Sequence, residues 1–546
     1  MLGAIIPARR AKNKSTYKVG KSLRFNSADS AYLSRLNAAA TSMKKATISV
    51  WLRRSALAGF VGSYGGAFFA NDSAGADCIG IGIDASTGVD YFFSQFQGLC
   101  IMRSAGKIFD TSAWCHFVIV FDTAQAVAAN RYKIYCNGVE ITAWTADGRA
   151  GITQNVDIRF FALTYTKFLS RYHPSYGYWD GYMAEYRFID GQALTPADFG
   201  LFDPVTGQWV PKAYAGTYGL QGFYLDFADA SAATAAAIGK DRSGNNNDFT
   251  PNAFSVAAGV DGDSFSDSPT NAFAILGRDP IAAEYGTLNN GGLDYVAGTN
   301  TSLCSNFPMM PTDTAVYYFE LTPSGSGSAI GVGVVNYGWN QLGWFAGAEG
   351  PGYAYHSNGS TWSANVQRPT YQTFSVNGET VGLAFQPSTG KIWARQKDGT
   401  WAGGGNPSTL TTPTFTLALP AAGQGWTFGV CGTTKNQVNF GQRPFILGLP
   451  ANCKRCCTDD LPDSESVITA GSFYGNADAD GPAIALNGAP SSLTINGNVV
   501  TWGTHAKKLS YGAKVMVAAA GYNATGVNTF TAVVPVKRKY ARAQIT

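Results

Sequence analysis

The sequence has 546 residues, of which 45% are hydrophobic, 13% aromatic and only 14% charged. A chain this long exceeds the usual ~100–200 residues of one domain, so about three folded modules are expected. The low charged fraction excludes a disordered chain, and a net charge of +4 excludes a domain-wide basic field for nucleic acid.

The 64 glycines and the abundant aromatic residues are typical of short strands joined by tight turns. No run approaches the ~20 apolar residues of a membrane span, and "MLGAIIPARR" has too short an apolar stretch for a secretion signal. The nine irregularly spaced cysteines argue against a disulfide framework and indicate assembly in a reducing cytoplasm. We therefore expect a soluble all-β protein without membrane insertion.

Residues 1–20 are expected to form a basic N-terminal arm, because Arg9, Arg10, Lys12 and Lys14 lie close together. Such a run is either a solvated tail or an anchor for an acidic partner surface. The second interpretation makes these four residues candidates for attachment to a larger assembly.

Strand patterns dominate residues 21–228. In "RYKIYCNG", every second residue from Tyr132 to Cys136 is apolar, as a half-buried strand requires, and the Asn–Gly pair then predicts a hairpin turn. Residues 229–268 contain "ASAATAAA" and "DRSGNNNDFTPN", which predict a turn-rich connector.

Residues 269–448 form a second strand-rich block, with a hairpin predicted at "QPSTGK". A polar connector follows at residues 449–467. Residues 468–546 are predicted to form a small C-terminal β module, in which "SLTINGNVVTW" contains two strands around an Asn–Gly turn. No repeat of fixed period joins the blocks, so a solenoid is not expected.

The first block contains, in order, "SLRFNSADSAYLS…ATISVWLRR", "WCHFVIVFD…NRYKIYCNGVEI" and "GYMAEYRFIDGQALTPADF". These motifs resemble the laminin-G-like, concanavalin A-like jelly roll family. The second block contains "VYYFELT", "VGLAFQPSTGKIWARQKDGTW" and "VNFGQRPF", and resembles a SPRY domain. The resemblance implies two concanavalin A-like antiparallel β-sandwiches of the jelly-roll type, followed by the small β module.

Proteins that join these two modules through a connector like "DRSGNNNDFTPNAF" resemble structural proteins of tailed bacteriophages, of the tail-fibre or appendage kind. The resemblance implies a virion component that is made in the host cytoplasm and contacts other virion proteins. It also implies a symmetric homo-oligomer, because trimers are usual among such fibres.

The sequence shows no catalytic motif. There is no Gly-x-Ser-x-Gly nucleophile elbow, and no carboxylate pair stands out for glycoside hydrolysis. Cys453, Cys456 and Cys457 lack a second ligand pair for zinc, and Asp241–Asp248 lacks the bidentate Glu of a calcium loop. We expect no catalytic residue, cofactor or metal ligand, although the sequence leaves calcium open. His116 lies in an apolar strand, which indicates a core residue.

Aromatic-rich loops are candidates for contact with a host-surface glycan or protein, because sugar rings stack on aromatic faces while their hydroxyls need polar partners. "RYHPSYGYWDGY" supplies such rings, including that of Tyr178, together with the polar groups of Arg171 and Asp180. The alternative is that these rings pack the sandwich cores or a subunit contact. The binding candidates are Tyr172, His173, Tyr176, Trp179, Trp339, Trp344, Tyr353, Tyr355, His356 and Trp362.

The leading functional hypothesis is a non-enzymatic structural and adhesive virion component that binds a host surface. The first alternative is a purely structural head or tail decoration protein. The second alternative is an enzyme that depolymerises host polysaccharide.

Overall fold

The structure is a computed structural model with strands throughout the described residues. These are residues 17–55, 66–71, 77–84, 89–96, 100–105, 113–172, 177–203, 207–277, 286–297, 301–324, 331–336, 352–364, 366–374, 378–420, 424–432, 435–461, 466–474, 484–485, 492–496, 498–499, 514–515 and 527–535. Within these ranges the regular structure is β-strand with short 3₁₀ turns, which confirms the predicted all-β class. No helix within them is long and apolar enough to cross a bilayer.

The first sandwich consists of two sheets. Its strands are β1 (Ser22–Phe25), β2 (Tyr32–Leu36), β3 (Lys45–Arg54), β4 (Gly66–Asn71), β5 (Cys78–Asp84), β6 (Val89–Phe96), β7 (Cys100–Ser104), β8 (Cys115–Asp122), β9 (Tyr132–Cys136), β10 (Val139–Glu140), β11 (Trp144–Asp147), β12 (Thr166–Leu169), β13 (Gly181–Asp190), β14 (Gly200–Phe202), β15 (Trp209–Pro211), β16 (Phe223–Leu225), β17 (Thr250–Asn252) and β18 (Ser264–Phe265). Sheet A has the order β10-β9-β8-β3-β13-β1-β18, with β16 beside β13. Sheet B has the order β11-β7-β6-β5-β4-β12-β2-β17, and β14 pairs with β15.

The first core lies between sheets A and B. In β8, Phe117, Ile119 and Phe121 are fully buried and belong to this core, as the period of two in a strand requires. From sheet B, Phe68 and Phe92 pack against Phe117, with ring centroids 6.2 and 5.7 Å from its ring. Burial of such rings is the main stabilising contribution of the sandwich.

Residues 229–268 were predicted to be a connector, but they complete the first sandwich. Strand β17 pairs with β2 at the edge of sheet B, and β18 pairs with β1 at the edge of sheet A. Phe249 and Phe265 are fully buried, so the segment contributes side chains as well as strands. These two short strands could not be predicted, because the turn-rich composition shows no alternating pattern.

The C-terminal end of the predicted N-terminal arm also packs against the folded part of the chain. Val19 is buried, its backbone N–H donates to Thr270 Oγ1 at 2.9 Å, and its carbonyl accepts from Ser268 Oγ at 2.7 Å. Tyr17 donates its hydroxyl to Glu185 Oε2 at 2.5 Å. The attachment candidates Arg9, Arg10, Lys12 and Lys14 lie outside the described residues.

An aromatic layer covers part of the outer face of sheet A. The His116 ring lies between Trp51 and Trp209, with ring centroids at 4.8 and 6.1 Å and nearly parallel planes. Its Nε2 is 2.8 Å from Ser49 Oγ. His116 is therefore a buried, hydrogen-bonded residue, as its apolar strand indicated.

The second sandwich also has two sheets. Its strands are β19 (Gly286–Asn289), β20 (Asp294–Ala297), β21 (Thr301–Cys304), β22 (Val316–Ser324), β23 (Gly331–Asn336), β24 (Gly352–His356), β25 (Thr361–Ser363), β26 (Val366–Arg368), β27 (Val381–Gln386), β28 (Lys391–Arg395), β29 (Phe415–Thr416), β30 (Trp426–Gly432), β31 (Lys435–Asn439) and β32 (Cys453–Lys454). Sheet C has the order β19-β20-β31-β22-β27-β28-β29, and sheet D has the order β21-β30-β23-β24-β25-β26. Phe319 of sheet C packs on Phe428 of sheet D with centroids 4.3 Å apart.

The segment after β31 covers the outer face of sheet C. Strand β32 runs parallel to β22, which places Cys453 opposite Val316. Cys456 and Cys457 are fully buried, and burial raises the pKa of the Cys457 thiol to about 12. The part of the predicted polar connector up to Leu461 is therefore packed structure, because its cysteines serve as small apolar side chains.

The two sandwiches meet through a buried polar junction. Arg53 of β3 forms an ion pair of 2.7 Å with Asp267, and both side chains are almost fully buried. The Arg53 guanidinium also lies 4.2 Å from the centroid of Tyr182, whose hydroxyl donates to Asn290 Oδ1 at 2.7 Å. Gly291 has φ +63° and donates its N–H to Ser55 O at 2.6 Å. Both sandwiches belong to one compact unit.

The C-terminal residues belong to a separate compact unit. Strand β33 (Ser466–Tyr474) pairs along its length with β38 (Val527–Pro535). Strand β35 (Ser492–Ile495) pairs with β38 and with β36 (Asn498–Val499), while β34 (Ile484–Ala485) pairs with β37 (Lys514–Val515). The described strands of this module are antiparallel.

Candidate functional site

The outer face of sheet B combines small side chains with aromatic rings. Strand register places Ala70, Cys78 and Gln95 on neighbouring strands of this face, in line with Phe168 of β12. Tyr91 and Phe93 of β6 lie beyond the small residues. Ala70, Cys78 and Phe93 are buried in a cluster with Tyr172, so the middle of this face is covered.

A group of rings around Arg171 lies on this face, and we call Tyr32, Phe168, Arg171 and Tyr178 the Arg171 platform. The guanidinium carbon of Arg171 is 4.5 Å from the Tyr32 centroid and 4.3 Å from the Phe168 centroid. The Tyr32 centroid is 6.0 Å from that of Phe168 and 6.3 Å from that of Tyr178. Phe168 is buried, whereas the other three side chains are partly exposed.

Local backbone geometry determines which residues form the platform. In β2, Leu33 enters the core, so Tyr32 points to the outer face. Ser170 has φ +80° and its carbonyl accepts the Trp179 N–H at 3.0 Å. This bond holds Trp179 in the core, so the preceding residue, Tyr178, faces outward.

The structure corrects two of the predicted contact residues in this segment. Trp179 is fully buried, with its ring edge-on to Phe68 at 6.2 Å. Tyr172 is also buried, in a cluster with Phe93 and small residues of β4 and β5. His173 and Tyr176 lie outside the described residues.

Two predicted contact residues of the second sandwich, Tyr353 and Tyr355, are also corrected, because β24 is buried on both faces. Tyr353 stacks on Phe415 with centroids 5.5 Å apart. Tyr355 packs on Phe374 and donates its hydroxyl to the Gln372 carbonyl. Their rings are therefore closed to a large ligand.

The other candidates of that sandwich differ in exposure. His356 is buried, which lowers its pKa to about 4. Trp362 is partly exposed and donates its indole N–H to Ser360 Oγ at 3.0 Å. Trp339 and Trp344 lie outside the described residues.

The calcium candidate at Asp241–Asp248 is an internally satisfied turn. Asp241 Oδ1 accepts the backbone N–H groups of Tyr224 and Ser243, each at 2.8 Å. Its Oδ2 accepts the Asn247 N–H and the Ser243 hydroxyl, also at 2.8 Å. The carboxylate is committed to N–H and O–H donors, so this geometry favours a turn over a cation site.

The described residues of the chain contain no group of three or more His, Cys, Asp or Glu able to hold a metal ion. The outer face of sheet B presents rings, amide and hydroxyl groups, and the guanidinium groups of Arg103 and Arg171. This combination suits non-covalent binding of a polar ring-shaped ligand.

The Arg171 platform shares the segment from Arg171 to Trp179 with the sequence candidates but consists of other rings. Arg171 and Tyr178 were noted beside the candidates, whereas Tyr32 and Phe168 were missed. The signal for Tyr32 was available in "AYLSRL", where Leu33 and its polar neighbours alternate.

Neither a family model nor a curated protein matches the sequence. Solved structures match parts of it. A putative carbohydrate-binding protein from Bacteroides ovatus matches at 19% identity and TM-score 0.30, over 43% of this chain and 59% of that one. Domain 4 of an extracellular GH43 arabinanase from Geobacillus stearothermophilus, solved with arabinotriose, matches at 19% and 0.21, over 29% and 65%.

The SPRY domain of human HERC1 matches at 14% identity and TM-score 0.21, over 30% of this chain and 96% of that domain. The chain thus spans less than two thirds of the length of the first two structures. Similarity at this level says nothing about the ligand of this chain. The architecture itself defines the class: an all-β protein with two antiparallel sandwiches in one compact unit.

Proposed function

We propose that this chain is a non-enzymatic adhesive protein that binds a glycan through the Arg171 platform. The observation that carries the proposal is the cluster of Tyr32, Tyr178 and Arg171, all partly exposed on one sheet face. The C–H face of a sugar ring stacks on a phenol ring, and guanidinium N–H groups donate to its oxygens. These side chains are supported by a buried ring beneath them, Phe168, so the surface is preorganised.

We further propose that the protein belongs to a tailed-phage particle, is made in the host cytoplasm and acts as a homo-oligomer. This part rests on the resemblance of the two modules and their connector to phage appendage proteins. Repeated copies would convert weak contacts into avidity. The Arg171 platform supports binding over hydrolysis, because glycoside hydrolysis needs two carboxylates and the platform consists of three aromatic rings and a guanidinium.

The test is binding of the labelled full-length protein to an array of bacterial surface polysaccharides and to the bacteria that carry them. Tyr178→Ala is expected to weaken binding at least about fivefold, the effect of losing about 1 kcal/mol at a contact. Tyr371→Ala is the matched control, because Tyr371 is a partly exposed tyrosine of the second sandwich.

Each rival predicts a different outcome. A decoration protein would leave the array and the cells unlabelled while binding other particle proteins. A depolymerase would release reducing ends from the bound polysaccharide. Either result, or equal binding by Tyr178→Ala and the unmodified protein, would contradict the proposal.

A further inference from the structure

Arg171 is a cation without an anionic partner among the described residues. Its guanidinium lies against the rings of Tyr32 and Phe168, and its Nε is closed to solvent without a hydrogen-bond partner. Most guanidinium groups at protein surfaces pair with a carboxylate or a carbonyl, as Arg149 does with Asp147 at 2.6 Å. The Tyr32 and Phe168 rings stand at 75° to each other, and the guanidinium carbon lies within 4.5 Å of both centroids, so the group is held in the angle between them.

A second arginine on the same face shows the same arrangement. Strand register links Ala67, Gly80, Phe93 and Arg103 across β4, β5, β6 and β7, so Arg103 lies on the outer face of sheet B. Arg103 is exposed, and its guanidinium carbon is 5.6 Å from the Tyr91 centroid. No ion pair to Arg103 occurs among the described residues.

The outer face of sheet B therefore carries two guanidinium groups beside aromatic rings, those of Arg103 and Arg171. A guanidinium offers two parallel N–H donors, which match the two oxygens of a carboxylate or phosphate. A neutral sugar would engage the same donors with uncharged hydroxyls, which form weaker hydrogen bonds.

We propose that the glycan bound by the Arg171 platform is acidic, and that its anionic group pairs with the Arg171 guanidinium while its sugar ring stacks on Tyr178. This inference rests on the proposed function and specifies its ligand class. The anionic group is a carboxylate, as in a uronic acid, or a phosphate ester. Both present the paired oxygens that the guanidinium recognises.

The experiment uses the polysaccharide that binds the full-length protein most tightly on the array, in three forms. These are the native polymer, the carboxyl-reduced polymer and the polymer stripped of phosphate by cold hydrofluoric acid. One of the two treatments is expected to weaken binding at least about tenfold, and the treatment that does so identifies the source of the charge.

Arg171→Gln is expected to weaken binding of the native polymer by about 10- to 100-fold and binding of the neutralised polymer by a much smaller factor. Arg171→Lys, which keeps the charge but not the planar fork, is expected to be intermediate. Lys397→Gln is the matched control, because it removes one positive charge from the second sandwich, where Lys397 pairs with Glu379. Near-ultraviolet circular dichroism checks that each variant keeps its fold.

Equal binding of the native and both neutralised polymers would overturn the acidic-ligand inference and leave glycan binding intact. Arg171→Gln with unchanged affinity would overturn it as well. Failure of every polysaccharide to bind would overturn the proposed function along with it. If Arg171→Gln does not fold, Arg171→Lys and the neutralised polymers still decide the question.

Discussion

The indole Nε1 of Trp209 donates a hydrogen bond of 2.9 Å to Nδ1 of His116. Because an indole N–H is only a donor, Nδ1 must be the acceptor, and the proton of the neutral imidazole lies on Nε2. Nε2 then donates to Ser49 Oγ at 2.8 Å. A second ring proton, on Nδ1, would point directly at the Trp209 N–H. Burial of the ring, together with the nearby positive charge of Arg187, lowers the pKa of His116 to about 3.

This arrangement predicts a loss of stability in acid. The folded pKa lies below the ordinary value of 6.5, so the unfolded state takes up the proton first. The contribution of His116 is complete above pH 6.5 and is lost progressively as the pH falls toward 3. Thermal unfolding at pH 7.5 and 4.5 is the measurement. His116→Gln should show a smaller fall in melting temperature between the two pH values than the unmodified protein, and an equal fall would contradict the assignment.

The ion pair between Arg53 and Asp267 predicts a large effect of a single substitution. Arg53→Ala leaves the Asp267 carboxylate buried without its cation, which costs about 3–5 kcal/mol of unfolding free energy. Lys18→Ala removes a partner of the exposed pair with Asp459 and should cost less than about 1 kcal/mol. Urea unfolding followed by tryptophan fluorescence measures both. Similar values for the two variants would refute the importance assigned to the junction.

The turn at Asp241 predicts that calcium does not stabilise the protein. Its carboxylate oxygens already accept four hydrogen bonds of 2.8 Å, so a cation would have to displace them. Asp241→Ala should lower the unfolding free energy by about 2–4 kcal/mol, because buried N–H groups lose their acceptors. Addition of calcium or of a chelator should leave the melting temperature unchanged. A calcium-dependent rise that disappears in Asp241→Ala would show a metal site instead.

Thiol reactivity should follow burial. Six of the nine cysteines are buried and three are partly buried, and all are free thiols. Burial raises the pKa of Cys453 to about 12, so little thiolate forms at pH 8. Ellman's reagent should label no more than three thiols rapidly in the native protein and all nine after unfolding. Rapid native labelling of Cys453, identified by peptide mass spectrometry, would contradict this packing.

The sequence was sufficient for the strands that alternate clearly, and insufficient where backbone geometry changes the alternation. The period of two from Tyr132 to Cys136 is reproduced in β9. The segment from Arg171 to Trp179 follows Ser170, which has φ +80°, and contains Gly177, which has φ +78°. Each such residue turns the chain, so counting alternate positions no longer tells which ring faces out.

Contacts between residues that are distant in the sequence could not be predicted either. Tyr32 meets Arg171 only because β2 and β12 are neighbours in sheet B, and sheet order cannot be read from local composition. The same applies to residues 229–268, whose short strands lack any pattern of their own. Their partners β1 and β2 lie more than 200 residues earlier in the chain.

The junction at Arg53 and Tyr182 has a mechanical consequence for the proposed binding to a surface. A force applied to one sandwich is transmitted to the other through the backbone hydrogen bond of Gly291 and the buried Arg53–Asp267 ion pair. The force does not first have to extend a flexible linker. A force on the second sandwich would therefore act directly on a contact formed by the first sandwich.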